Sequence, residues 1–456
     1  MGKHQAYPEY KDSGIELLGE LPTEWKVLRY KNILKIMQGM AFKSSEYVDP
    51  SSVVNIRMGN IKKGGCLDLK HNTKYLPDNY KDIYSDYELY EGDAIIAMTD
   101  MSPTLDFLAV PAILKGLDGN TSYLLNQRVG KLLLDKEFDI RFVRYLLLSD
   151  ELRSQLKGKG LGTVQANMSN EDLYSSYLFC PPIKERLKIA NFLDHETAKI
   201  DTLIEKQQQL IALLKEKRQA VISHAVTKGL NPDVPMRDSG VEWLGDVPEH
   251  WDVSQVGHCA FVTKLTGFEY TNLWKTDEDG AVIALRGFNV KERKLELNDV
   301  ENISLDLSTS LKRSKLATGD IVFPCTGTIG NAAMIEADDK FHINQNIAKI
   351  RFDESVSSRF AIYWLTSTFI RTLIDKNNTS GMQPVVLIGD IRKLPIPRFK
   401  YEEQEAVADY LDSVSDRFNI LISNAISAIH LMRERRTALI SAAVTGKIDV
   451  RNWKAA

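Results

Sequence analysis

The chain has 456 residues, 43% hydrophobic and 26% charged, enough to bury two separate cores. Its formal net charge of −3 argues against a protein that coats nucleic acid by bulk attraction, although local basic clusters survive the averaging. No apolar run approaches the roughly 18 to 20 residues of a membrane helix, so no membrane is expected among its partners.

The opening stretch, MGKHQAYPEYKDSG, has no hydrophobic segment for secretion, and Ala6 stands where a myristoylation signal wants Ser or Thr. The four cysteines, Cys66, Cys180, Cys259 and Cys325, form no C-x-x-C pair and suit a reducing cytoplasm without a zinc site. Residues 12–27, DSGIELLGELPTEWKV, open a domain in which Trp25, beside Pro22, is expected to anchor the core against a helix. Short apolar runs bounded by Gly, Asp and Asn follow, such as DAIIAM, and read as strands of a mixed domain. The glycine-rich KGKGLGT at 157–163 follows a helical pattern and reads as a loop.

The breaker Pro181-Pro182 precedes a helix expected from Ile183 to Thr227. Its apolar Leu193, Ile200, Leu203, Ile204, Leu210, Leu214 and Val221 fall near a seven-residue period. Residues 238–253, DSGVEWLGDVPEHWDV, then begin the pattern again, with Trp251 in the place of Trp25, and strand-like runs such as GDIVF and IAKIRF follow. After Pro395 and Pro397 a second helix is expected from Tyr401 to Val444, carrying Leu411, Phe418, Ile422, Ile429, Met432 and Leu439. Each helix of about 40 residues is ~60 Å long. One apolar stripe on each would be exposed alone, so the pair is expected to form an antiparallel coiled coil acting as a spacer, with a coil between separate chains as the competing arrangement.

The repetition runs through the whole chain in constant order. RMGNIK (57–62) answers RGFNVK (286–291), and LYEGDAIIAMT (89–99) answers LATGDIVFPCT (316–326). LNQRVGKLLLD (125–135) answers INQNIAKIRFD (343–353), RFVRYLLLS (141–149) answers RFAIYWLTS (359–367), and RQAVISHAVTKG (218–229) answers RTALISAAVTGK (436–447). A single repeat of about half the length implies two copies of a domain-sized unit. The expected architecture is therefore α+β, pseudo-two-fold symmetric: an N-terminal segment and domain over 1–182, a helix over 183–230, the repeat over 231–398, and a distal helix and tail over 399–456. Residues 63–88 and 100–124 have no recognisable counterpart, so one frame carries two sets of loops.

Catalytic patterns are absent. There is no G-x-x-x-x-G-K-[ST] phosphate loop and no H-E-x-x-H, and His195-Glu196 lacks a second histidine four residues after the first. Cys180-Pro181-Pro182 puts a thiol where an amino-methyltransferase needs an amide or acid. What remains is recognition chemistry: arginine is bidentate to guanine, asparagine to adenine, and lysine pairs with phosphate. The candidate DNA contacts are Arg57, Asn60, Lys62, Lys63, Thr99, Arg128, Thr163 and Gln165 in the first half. Arg286, Asn289, Lys291, Thr326, Thr328, Gln345 and Gln383 are those of the second. Each reads equally as a turn or cap residue, and the GTIGN run at 327–331 equally as a tight turn. The candidate helix-pairing residues are Leu193, Ile200, Leu203, Leu210, Leu214, Leu411, Phe418, Ile422, Ile429 and Met432.

The DSG segments, the GD-plus-apolar strand, the P-x-x-x-E-x-x-x-I-A-x-x-L-D pattern (182–194 and 397–412) and the helix ending in I-S-x-A-V-T resemble the specificity subunit of type I restriction-modification systems. The resemblance covers essentially the whole chain. It implies two target recognition domains, each reading half of a split, asymmetric site in double-stranded DNA. It further implies helices that set the gap and dock two methyltransferase subunits, with restriction and translocation subunits beside them. S-adenosylmethionine, ATP and Mg²⁺ would belong to those partners, leaving this chain non-catalytic and without a cofactor or metal. Met98-Thr99-Asp100-Met101-Ser102 lacks the glycines of Gly327-Thr328-Ile329-Gly330, which places the first domain in a different recognition subclass. Two other classes stay open: a self-contained endonuclease, which needs a carboxylate metal cluster, and a structural adaptor, which needs no DNA.

Overall fold

Each DSG segment closes a small β-hairpin, because its aspartate accepts the backbone N–H two residues on. Asp12 Oδ1 takes Gly14 N at 2.9 Å and Asp238 Oδ1 takes Gly240 N at 3.0 Å, between the paired strands Tyr10–Asp12 with Glu20–Pro22 and Met236–Asp238 with Asp246–Pro248. The computed structural model describes residues 5–70, 72–102, 107–159, 166–242, 244–267, 269–377 and 385–455. They fall into two units, one of Met1–Gln207 with Ser427–Ala456 and the other of Gln208–Ile426.

The units repeat each other strand by strand. In the first, an antiparallel sheet runs in the order Pro111–Ile113, Ala94–Ala97, Val129–Leu134, Leu34–Gln38. In the second the same places are taken by Ala333–Met334, Ile321–Pro324, Ile347–Phe352 and Ala260–Lys264. Beside it lies a mixed sheet containing one parallel pair, Val53–Ile56 with Ser122–Leu125 and Val282–Leu285 with Phe341–Ile343.

The uninterrupted apolar runs arise because the antiparallel sheet is buried on both faces. Along Ala94–Ala97, Ala94 and Ile96 join a core with Trp25, Phe142 and Leu193, while Ile95 and Ala97 join another with Ile56, Leu125 and Val129. Ile321 and Phe323 likewise pack with Trp364, Phe360 and Leu411, and Val322 with Leu285 and Ile343. Alternate residues thus feed alternate cores, each isoleucine, valine or phenylalanine contributing about 1.5–3 kcal/mol.

The helices run Ile183–Lys228 and Tyr401–Val444. On the first, the buried and half-buried Leu193, Thr197, Ile200, Ile204, Gln207, Ile211, Leu214, Arg218, Val221 and Ala225 follow steps of four and three. On the second, Gln404, Ala408, Leu411, Ser415, Phe418, Ile422, Ala425, Ile429, Met432, Arg436, Leu439 and Ala443 do the same. That is the seam of a coiled coil. Arg436 meets Asp201 at 2.9 Å in the first unit, and Arg218 meets Asn419 at 2.9 Å in the second. Within the first unit Lys188 also donates to the Arg451 carbonyl, so going up one helix from 188 to 201 goes back along the other segment from 451 to 436, and the pairing is antiparallel. Leu203 and Leu210 correct the sequence reading: they fall one residue off the seam and are 50% and 42% exposed.

Both helices end on a glycine at positive φ, Gly229 (73°) and Gly446 (75°). The tryptophans close over these ends. A Cβ at Gly446 would lie 2.5 Å from Pro22 and 3.3 Å from Trp25, and one at Gly229 would lie 3.3 Å from Trp251. Trp25 and Trp251 are core residues, fully buried, and Trp251 also stacks on Phe399 at 3.9 Å and donates Nε1 to Glu403 at 3.1 Å. No helix of the described residues is long and apolar enough to cross a membrane.

Candidate nucleic-acid interface

Side chains that follow the C-terminal ends of two parallel strands leave a sheet on the same edge, and the repeated motifs sit there. In the first unit, Arg57 follows Val53–Ile56 and Asn126-Gln127-Arg128 follows Ser122–Leu125. Asn126 N donates to Ile56 O at 3.0 Å, and Met98 N to Arg128 O at 3.0 Å, so the 57–60, 98–100 and 126–128 turns converge. Thr99 Oγ1 lies 3.1 Å from Met58 Sδ and completes the join. The second unit repeats it: Asn344 N donates to Leu285 O at 3.2 Å, Cys325 N to Asn346 O at 2.8 Å, and Thr328 Oγ1 to Gly287 O at 2.8 Å. Eleven of the fifteen candidates named from sequence thus belong to these turns or to the adjoining hairpins: Arg57, Asn60, Lys62, Lys63, Thr99 and Arg128 in one unit, Arg286, Asn289, Lys291, Thr328 and Gln345 in the other. Thr326 pairs with Val385 across a bridge beside them. Thr163, Gln165 and Gln383 lie outside the described residues.

The asparagines face inward. Asn60 Oδ1 accepts Arg57 N at 2.9 Å while its Nδ2 donates to Asp68 O at 2.9 Å; Asn289 Oδ1 accepts Arg286 N at 2.9 Å while its Nδ2 serves Glu296 O and Asp299 O at 3.0 and 2.7 Å. Both are buried, with their amides engaged by backbone, so as base readers they are corrected: they shape the turn that presents the arginine. The hydroxyls of Thr99, which is buried, and Thr328 are likewise occupied within the turns.

The two arginines differ in what holds them. Arg57 gives Nη2 to the Asn72 carbonyl at 2.8 Å and lies over the Tyr47 ring at 5.8 Å, contacts that leave its charge uncancelled. Arg286 is clamped by Glu301 at 2.8 Å and Asp299 at 3.2 Å, above Phe288 at 4.2 Å. Lys62 and Lys291 pair with Asp68 and Glu296 across their hairpins, at 3.4 and 3.2 Å. Gln127, Arg128 and Asn346 are exposed on the connecting turns, Lys63 is exposed on its hairpin, and Gln345 is half-buried. Asp100 is buried and accepts the backbone N–H of Ser102, Phe107 and Leu108 at 2.7, 2.6 and 3.1 Å, which fixes where the first unit's variable loop leaves and rejoins the frame.

Sequence reasoning missed Phe288, 40% exposed beneath the Arg286 guanidinium, and Asn346, whose carbonyl ties two turns together. An aromatic residue two positions after the arginine in one copy and not the other was the available signal for the first. Nothing local distinguished the second. Among the described residues no group of three or more His, Cys, Asp or Glu could hold a metal ion.

A model of the type I restriction modification DNA specificity domain matches residues 22–213 and 281–430. The chain is 23% identical over 458 residues to the type I restriction enzyme EcoBI specificity subunit of Escherichia coli, covering 98% of this chain and 91% of that one. It is 20% identical over 453 residues to the EcoKI specificity subunit of Escherichia coli strain K12, covering 96% and 92%. In fold it is similar to a chain solved for complex assembly and conformational transition of the type I R-M system, with a TM-score of 0.61, 16% identity, and 94% of this chain and 99% of that one covered.

Proposed function

The chain belongs to the type I restriction modification DNA specificity family, and on that premise we propose that it is the DNA-recognition subunit of a type I restriction-modification complex, reading a split site with one unit per half. The observation that carries this is the same three-turn edge built twice with different residues on it: an arginine held by the Asn72 carbonyl beside Gln127-Arg128 in one unit, and an arginine clamped by two carboxylates with Phe288 beside Gln345-Asn346 in the other. One frame with two different faces reads two different half-sites, so the site is asymmetric. The protein's contribution is recognition. Methyltransferase subunits would bring S-adenosylmethionine, and restriction subunits ATP and Mg²⁺, to a DNA position that this chain selects in the cytoplasm.

The test is a map of methylated adenine across the genome of a strain with and without the gene. A split, asymmetric motif that vanishes on deletion supports the proposal. An unchanged map while the partner subunits are expressed overturns it, and DNA cleavage by the purified chain with Mg²⁺ alone would favour an endonuclease instead.

A further inference from the structure

In each unit one short helix is tied to one long helix by the same three side chains. In the first unit the short helix is Ile140–Leu147, and Tyr145 donates its hydroxyl to Asp194 Oδ1 at 2.7 Å while Arg141 Nη1 donates to Asp194 Oδ2 at 3.3 Å. In the second it is Ser358–Leu365, where Tyr363 donates to Asp412 Oδ1 at 2.6 Å and Arg359 Nη2 to Asp412 Oδ2 at 2.5 Å. Thr197 and Ser415, one turn further along the long helices, lie 3.2 and 3.5 Å from the tyrosine oxygens. Arginine and tyrosine stand four residues apart on one helix face and converge on one carboxylate of the other.

We propose that these are positioning residues: Arg141, Tyr145 and Asp194, and Arg359, Tyr363 and Asp412, form two latches that hold each recognition domain at one angle on its own stretch of long helix. The angle fixes the number of base pairs between the half-sites. The inference rests on the DNA-reading function proposed above. Three features set a latch apart from incidental surface ion pairs. It is duplicated with both carboxylate oxygens assigned to the same partners. The tyrosine rings are buried, and burial pushes both hydroxyls up to about 12, so they remain donors throughout the physiological range. Each arginine has further partners that hold it in place: Arg141 has Asp139 at the start of its own helix at 2.8 Å and Asn191 on the long helix at 2.9 Å, and Arg359 has Glu405 and Asp409 on the long helix, both at 2.8 Å. Core packing alone would hold the helices together, whereas hydrogen bonds at their edge select one angle among packings of similar energy.

The experiment expresses the full chain with its modification partners and maps methylated adenine for the native chain, Tyr145→Phe, Tyr363→Phe, Asp194→Asn, and the double variant Tyr145→Phe/Asp194→Ala. Phenylalanine keeps the buried ring and removes only the latch hydroxyl. The expected result is unchanged bases in both half-sites and at least about a tenfold rise in methylation of sites whose gap is one base pair longer or shorter, as removal of a charge-assisted hydrogen bond allows. Asp194→Asn, which keeps an acceptor, should restore most of the gap stringency lost in the double variant. A merely structural role would lower methylation evenly at all sites without new gaps, and that outcome overturns the inference. So does complete loss of methylation in Tyr145→Phe if thermal unfolding shows the chain folded. Absence of any motif with the native chain would instead refute the DNA-reading function.

Discussion

Asp320 is the charge that the second unit can least afford to lose. It is fully buried and takes Arg351 Nε at 2.6 Å on Oδ1, and Arg351 Nη2 at 2.8 Å and Lys349 Nζ at 3.2 Å on Oδ2, while also accepting Ala317 N at 2.8 Å. The Lys349 side chain is only 4% exposed. Asp320→Asn keeps the shape but leaves that ammonium without its counter-ion, which costs about 3–5 kcal/mol. The first unit holds the same pair, Asp93 and Lys131 at 2.6 Å, but with side chains 20% and 17% exposed and, among the described residues, no second cation on the carboxylate. There Asp93→Asn should cost about 1–2 kcal/mol. The contrast of about 2–3 kcal/mol is read by hydrogen exchange: amides of Ile347–Phe352 should lose protection about 30- to 150-fold more in Asp320→Asn than those of Val129–Leu134 do in Asp93→Asn. Asp320→Asn/Lys349→Met should recover most of the loss, because the stranded charge is gone. Equal losses in the two units, or a double variant no better than the single, would refute the argument that burial sets the cost.

Arg57→Ala should relax the first half-site alone by about 1–3 kcal/mol in competition binding of the assembled complex, and equal relaxation of both half-sites would contradict the placement of Arg57. Burial holds the His342 imidazole below its ordinary value, against the pull of the Ile343 and Leu311 carbonyls. A depressed folded value means that the unfolded chain binds the proton more tightly, so this contribution is whole above about pH 6.5 and is lost as pH falls toward the folded value. Leu124 takes the matching place in the first unit, so hydrogen exchange from pH 7.5 down to 5 should show this loss in the second unit, and His342→Phe should flatten the slope there. An unaltered slope would rule His342 out as its origin. On the helices, Leu210→Ala should change the thermal stability by less than about 0.5 kcal/mol and Leu193→Ala by about 2–5 kcal/mol; comparable losses would mean that the seam does not step from Ile204 to Gln207 and Ile211.

The duplication was legible because the frame residues answer to local chemistry that both copies must satisfy. An Asp-Ser-Gly turn needs its aspartate to reach the second N–H beyond it, and a strand buried on both faces needs an unbroken apolar run, so the same letters return in the same order. The helix seam was legible only to within a residue. A leucine seven residues from another satisfies a heptad whether or not it lies on the stripe, and Leu203 and Leu210 do so while the half-buried Ile204 and Ile211 take the seam positions. The choice is made by the partner helix, through pairs such as Asp201 with Arg436, and no periodicity count contains that partner.

The asparagines beside the two arginines were misread in a different way. Arg57-x-x-Asn60 and Arg286-x-x-Asn289 offer an arginine and an asparagine that could each read a base, and residue type gives no reason to separate them. The turn does: with the asparagine oxygen on the arginine's own N–H and its amide nitrogen on a carbonyl eight or seven residues ahead, the asparagine is consumed in making the presentation, and the arginine is what is presented. The same turn then diverges in electrostatics, because the second unit places Asp299 and Glu301 against its arginine where the first places the Asn72 carbonyl. A guanidinium clamped by two carboxylates is rigid and its charge is compensated, whereas one held by a carbonyl keeps its charge. Identity of motif therefore fixes the scaffold, while the groups that set each arginine's charge lie outside the shared motif, Asn72 in one unit and Asp299 and Glu301 in the other.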